Sequence, residues 1–162
     1  MSSSTTAPCV PIDIAIVERA FEQSDLDARL AGLGLAVGQA GAITTFIGQV
    51  RATGDQSDVT GLILEHYPAM TIRILEQHVQ SACQRWPLLG VVLVHRVGKM
   101  VLGENIVAVI VASAHRQAAF DALQYLMDFL KNEAPFWKQE VTVRGAAWVE
   151  QKATDREQAK RW

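Results

Sequence analysis

Apolar residues at Ala119, Phe120, Leu123, Leu126, Met127 and Leu130 recur at helical spacing, and neither glycine nor proline interrupts them before Pro135. The spacing predicts a helix over about 115–132 with one apolar face. Ile72, Leu75, Val79 and Ala82 form a second stripe, which predicts a helix over about 70–85 closed by Trp86 and Pro87. Strand-like runs surround these helices. Ile12, Ile14 and Ile16 alternate with Asp13 and Ala15 over 10–17, the run 41–50 is rich in β-branched and aromatic residues, and 59–66 sets Leu62 and Leu64 against Ile63 and Glu65. The runs 91–97 and 105–113 are the most strongly β-branched and predict central strands, joined by the glycine-bounded connection GKMVLGE. Shorter strands are expected at 140–143 and around Trp148 and Val149, and a short helix from Ser24 and Asp25 toward Leu30. The segment DREQAKRW (155–162) is amphipathic enough for a last helical turn or a partner contact, and a solvated tail is equally compatible with it.

This order has no regular βαβ rhythm, so the class is α+β or α/β, a mixed β-sheet with packed helices. The length of 162 residues fits one domain, expected over 10–162, preceded by a flexible polar tail over 1–9. The polar start lacks the order of a secretory signal, and no apolar run approaches the ~20 residues of a membrane span, so a cytoplasmic protein without membrane contact is expected.

The chemistry-bearing residues cluster around the helix over 115–132. His115 and Arg116 fall in its first turn, where cations oppose the positive end of the helix dipole; an anion bound there would offset that cost. Lys131 falls in the last turn and Lys138 follows Pro135, Phe136 and Trp137. Aromatic neighbours that desolvate a lysine lower its pKa, which makes the amine a proton carrier or nucleophile. The plainer reading is a pair of solvated charges complementing the helix dipole. Arg51, at the exit of the strand over 41–50 and beside the turn-forming stretch 52–58, reads equally as an ordinary exposed charge.

Composition narrows the partners. A net charge of −2 argues against a nucleic-acid binder, so anion recognition has to be local. Cys9 and Cys83 lie far apart with no zinc-like spacing, and His66, His78, His95 and His115 show no i, i+4 ligand pairing; no metal site is expected.

Several motifs occur together in order: GAITTFIGQVR (41–51), LEHYPAM (64–70), the His115–Arg116 pair, FLKNEAPFWKQE (129–140) and AKRW (159–162). In these the chain resembles the large, catalytic subunit of molybdopterin synthase over roughly 12–162. The resemblance implies an α/β hammerhead fold of the α+β class and assembly as a homodimer. It implies a sulfurtransferase of molybdenum cofactor biosynthesis that turns precursor Z, a cyclic pyranopterin monophosphate, into the molybdopterin dithiolene. Sulfur would arrive as the C-terminal thiocarboxylate of a small ubiquitin-like carrier subunit, giving a heterotetramer, and no cofactor is implied for the step. Matched by position, Lys131 and Lys138 are the expected catalytic residues. Gln49, Val50, Arg51, His115, Arg116, Lys131, Lys138, Gln139 and Glu140 are the expected substrate contacts. Two departures stand out: family members often carry a lysine where Gln49 stands and a basic residue where Gln139 stands.

Both implied reactants are anionic, which gives the cations a task as electrostatic clamps and the lysines one as proton donors to leaving oxygens. Arg116 and Lys131 are separated on one helix by about 22 Å at the helical rise per residue. If both touch one small substrate, His115 and Arg116 come from a second copy and the site lies at a dimer interface. A Schiff-base enzyme using the same lysine, and a non-catalytic anion-binding or scaffold subunit, are the competing readings.

Overall fold

The computed structural model describes residues 10–162; the expected tail over 1–9, with Cys9, lies outside the described residues. Twelve elements follow in order: β1 (Ile12–Val17), α1 (Gln23–Gly32), β2 (Ala42–Gln49), β3 (Val59–His66), α2 (Pro68–Arg85), β4 (Leu88–Arg96), β5 (Gly98–Val101), β6 (Asn105–Ser113), α3 (Arg116–Asn132), β7 (Phe136–Thr142), β8 (Gly145–Trp148) and α4 (Ala153–Ala159). They make two four-stranded sheets among the described residues. One, ordered β1-β4-β6-β2, is mixed, because β1 runs parallel to β4 while the other pairs are antiparallel. A second sheet, β5-β3-β7-β8, is antiparallel throughout.

The unbroken apolar runs of β4 and β6 follow from burial on both faces. Val91 and Leu93 of β4, with Val107, Val109 and Val111 of β6, meet the apolar stripes of α2 (Leu75, Val79, Ala82) and α3 (Ala122, Leu126, Phe129). The alternate residues Val92, Val94, Ala108 and Ile110 point the other way, onto Leu26 of α1 and onto Phe21 just before that helix. A smaller core of Val50, Leu62, Leu64 and Met100 lies under the second sheet. The two sheets are thus linked by the chain that leaves β2 through Val50.

Several elements differ from expectation in their bounds or nature. Helix α2 begins at Pro68, two residues early, because proline at the first helical position lacks only an N–H that needs no helical partner. The connection GKMVLGE holds a strand of its own, β5, which begins at Gly98 and is followed by Gly103, both in the left-handed region at φ 85° and 79°. Strand β7 begins at Phe136 instead of Glu140, so Phe136, Trp137 and Lys138 pair with β3 rather than forming a buried turn. Of the alternatives open for the segment after β8, the helical one is found, as α4 lying against α3.

Candidate active site

Strand β6 delivers the chain to the start of α3, and Ser113, fully buried, holds the corner by donating its hydroxyl to the Pro87 carbonyl at 3.1 Å. His115 is the N-cap residue and Arg116 the first helical residue; both are exposed, and the first turn contains no acidic residue. This helix start therefore carries N–H groups without helical partners, with a histidine and an arginine side chain facing solvent. Lys131 lies at the opposite end of the same helix, exposed in its last turn.

Beyond that end the chain turns at Pro135 and returns as β7, whose Phe136, Trp137 and Lys138 lie opposite His66, Glu65 and Leu64 of β3. Phe136 is stacked on the buried ring of His95, with centroids 3.9 Å apart and planes 16° from parallel. Burial holds His95 at a pKa of about 4, well below the ordinary value, and the neighbouring charge of Lys131 acts in the same direction. His95 is therefore neutral at physiological pH, a floor for the site rather than a charge in it. Trp137 stays 44% exposed and stands edge-on to the exposed ring of Tyr67, 5.1 Å between centroids.

Lys138 is half-buried, and burial is the main cause that lowers its pKa. Repulsion from Lys131 lowers it further, while Glu140 and Asp55 oppose the shift and Lys152 adds to it. The two lysines thus lie within electrostatic reach of each other, one on solvent and one partly withdrawn from it.

Glu140 is 3% exposed, and both its carboxylate oxygens are occupied: Oε1 accepts the N–H of Asp55 at 3.1 Å and Oε2 that of Gln56 at 2.8 Å. A Cβ on Gly54 would overlap this carboxylate. Glu140 accordingly anchors the loop over 52–58 that follows Arg51, and the Asp55 side chain is pinned by Lys152 at 3.2 Å. Arg51 is exposed at the base of that loop.

The other expected contacts have different surroundings. Val50 is buried in the small core, and its N–H and C=O are taken by Glu104 and Gly103. Gln49 is exposed, its side-chain amide donating to Asn105 Oδ1 at 2.9 Å. Gln139 is half-buried in β7 opposite Ile63 and Trp148. The structure therefore brings Lys131, Lys138 and Glu140 to one end of α3 and leaves His115 and Arg116 at the other, with Arg51 leading into the loop that Glu140 holds. Asp55, Gln151 and Lys152 also surround the lysines, and no local pattern marks them, because their partners are distant in the chain. Among the described residues no group of His, Cys, Asp and Glu is arranged to hold a metal ion, and no helix is long and apolar enough to cross a membrane.

A partly desolvated lysine beside a solvated one, next to a latched loop that follows an arginine, suits transfer chemistry on an anionic reactant, and on this α+β scaffold it is in keeping with the class of transferases. Comparison with known proteins makes this specific. The family model described as MoaE protein matches residues 17–133. The molybdopterin synthase catalytic subunit of Pseudomonas aeruginosa is 48% identical over 141 residues, covering 87% of this chain and 89% of that one. Among solved structures, the molybdopterin biosynthesis MoaE protein of Burkholderia ambifaria is 38% identical with a TM-score of 0.74, covering 95% of this chain and 98% of that one. The complex of subunits 1 and 2 of molybdopterin-converting factor from Helicobacter pylori shares the fold at 19% identity, with a TM-score of 0.71 over 86% of this chain and 91% of that one. The chain belongs to the MoaE family, the catalytic subunits of molybdopterin synthase.

Proposed function

We propose that this chain carries out its sulfur transfer at the end of α3, taking sulfur from the C-terminal thiocarboxylate of a small ubiquitin-like carrier and placing it on precursor Z in the cytoplasm. The observation that carries the reading is the lysine pair: Lys138 withdrawn from solvent by β3 and β7, and Lys131 exposed beside it. Lys131 is the primary catalytic residue in this reading. Lys138, whose ammonium gives up its proton more readily than a free lysine, binds the anionic reactant and protonates a departing oxygen. Arg51 supplies a further positive charge from the latched loop. Glu140 holds that loop instead of touching substrate, and Val50 supports it from below.

The carrier's tail docks along the exposed Tyr67–Trp137 pair, at the start of the strand that carries Lys138. A carrier partner is in keeping with the two-subunit complex of the Helicobacter relative. His115 and Arg116 serve the site of a second copy. The exposed edge strand β2 with Phe46, and Phe120 on α3 one turn after Arg116, supply an apolar surface for that copy.

Single-turnover reaction of the purified protein with thiocarboxylated carrier and precursor Z, read as fluorescence of oxidised molybdopterin, tests this directly. Product from wild type, and almost none from a folded Lys131→Ala variant that still binds carrier, is expected. Equal product from both would move the chemistry to Lys138, and none from wild type would favour the scaffold reading.

A further inference from the structure

Asp128 occupies a position where a carboxylate is costly, on the buried face of α3 next to Phe129 and only 7% exposed. Its partners come from the far end of the sequence. Oδ2 accepts the indole N–H of Trp162 at 2.6 Å and Arg161 Nε at 3.1 Å. The Trp162 ring in turn stands edge-on to Trp86 and Tyr125, with centroids 5.5 and 5.8 Å away, and Arg85 donates to the Trp162 carbonyl at 2.6 Å. A buried acid is thus neutralised and satisfied by two neighbouring residues whose rings and charges are locked in turn by α2 and α3.

Between this anchor and β8, the chain passes over the end of α3 that carries Lys131. The Gln151 amide donates to the Asn132 carbonyl at 2.8 Å and to the Lys131 carbonyl at 3.3 Å, two of the acceptors that a helix C-terminus leaves without helical partners. Asn132 answers by donating to the Asp155 carbonyl at 2.9 Å. On the other side, the Val149 N–H donates to the Lys138 carbonyl at 2.8 Å, and Lys152 pairs with Asp55 of the latched loop. One stretch of chain therefore touches the main chain of both lysines and the loop beside them.

We propose that residues 149–162 form a positioning strap for the lysine pair, anchored by the grip of Arg161 and Trp162 on Asp128 and acting on Lys131 through Gln151. The proposal rests on the assignment of the chemistry to Lys131 and Lys138. Gln151, Asp128 and Trp162 touch no reactant; they fix the separation of two lysines that sit on different elements and repel each other.

The test uses the full chain with Gln151→Met, which keeps side-chain length but removes the donor, and Trp162→Phe, which keeps a ring but removes the N–H. Both are assayed where circular dichroism shows them fully folded. The expected result is a fall in kcat of about tenfold or more, with carrier Kd and KM for precursor Z within about twofold of wild type. Faster amide exchange over 131–138 is expected alongside it. Wild-type kcat with unchanged exchange over 131–138 in both variants would overturn the strap. A parallel loss of carrier binding would overturn it too, since that marks general damage to the fold. If wild type itself makes no product, the lysine assignment fails, and the exchange measurement still decides whether the strap restrains this end of α3.

Discussion

The Glu140 carboxylate accepts the backbone N–H of Gln56 at 2.8 Å from 84 residues away, so a buried acid on β7 fixes the loop that leaves Arg51. This relationship changes what Glu140 does. An acid beside two lysines reads as a partner for substrate or ammonium, yet its oxygens are spent on two loop amides.

Replacing Glu140 with alanine should therefore free the loop over 52–58. Two charge-assisted hydrogen bonds are lost from a buried place, a destabilisation of about 2–4 kcal/mol measurable by urea unfolding. KM for precursor Z should rise more than carrier Kd, because Arg51 loses its support and the carrier-facing aromatics do not. Gly54→Ala should give the same pattern, since its added Cβ overlaps the Glu140 carboxylate. A Glu140→Ala protein with wild-type KM would show that the loop serves no purpose in substrate binding.

The pH dependence follows from the groups around Lys138. Burial and the charges of Lys131 and Lys152 lower its pKa, while Glu140 and Asp55 raise it. If its ammonium is the proton donor, kcat falls as pH rises through that lowered pKa, earlier than for a free lysine. Asp55→Asn removes an opposing anion and should move this alkaline limb to lower pH; Lys152→Gln should move it to higher pH. The same shift has a stability consequence. The unfolded chain binds the lysine proton more tightly, so stability rises with pH between the lowered value and the ordinary lysine value. Movement of the limb in the same direction in both variants would remove Lys138 as its source.

Much of this architecture was legible in the sequence where the pattern was local. The stripe of Leu123, Leu126 and Leu130 marked α3, and the runs at Val91 and Val107 marked strands buried on two faces. Strand β5 was not legible, because four residues between glycines carry too short a period to separate a strand from a connection. The start of β7 was hidden for a different reason: after Pro135, the pair Phe136 and Trp137 looked like the filling of a turn, and only the register with β3 makes them strand residues. At the site, residue types were legible and roles were not. Glu140, Asp55 and Gln151 take their meaning from contacts 19 to 97 residues away, which no window along the chain contains.

Trp137 offers a test of where the carrier docks. It is 44% exposed beside Tyr67, one residue before Lys138, and contributes nothing to the buried cores. Trp137→Ala should leave thermal stability nearly unchanged and weaken carrier binding by about tenfold, the loss expected of an aromatic anchor. Isothermal titration with the carrier measures it. Unchanged affinity would place the tail elsewhere.

The family resemblance of the sequence implies basic residues at the positions of Gln49 and Gln139, so a lysine restored there tests whether either position meets the substrate. Gln49 is exposed, and its amide donates to Asn105 Oδ1 at 2.9 Å. Gln49→Lys should lower KM for the anionic precursor a few-fold at low salt, with the gain shrinking as ionic strength rises. A KM unaffected by the added charge would place Gln49 away from the phosphate.

The placement of Arg116 and Lys131 at opposite ends of α3 leads to the sharpest test of assembly. Within one chain the helical rise separates them by about 22 Å, too far to hold one small substrate between them. If the site is shared between copies, Arg116→Ala and Lys131→Ala proteins are each inactive for different reasons, and a mixed dimer contains one site with both residues intact. Random mixing gives half mixed dimers, each with one of two sites complete, so about a quarter of wild-type activity should return. Unfolding and refolding the two variants together, then assaying against each refolded alone, measures this. No recovery, with mixed dimers demonstrated by mass, would mean that Arg116 does not serve the site of a second copy, and the anion expected at its helix start would belong to some other interaction.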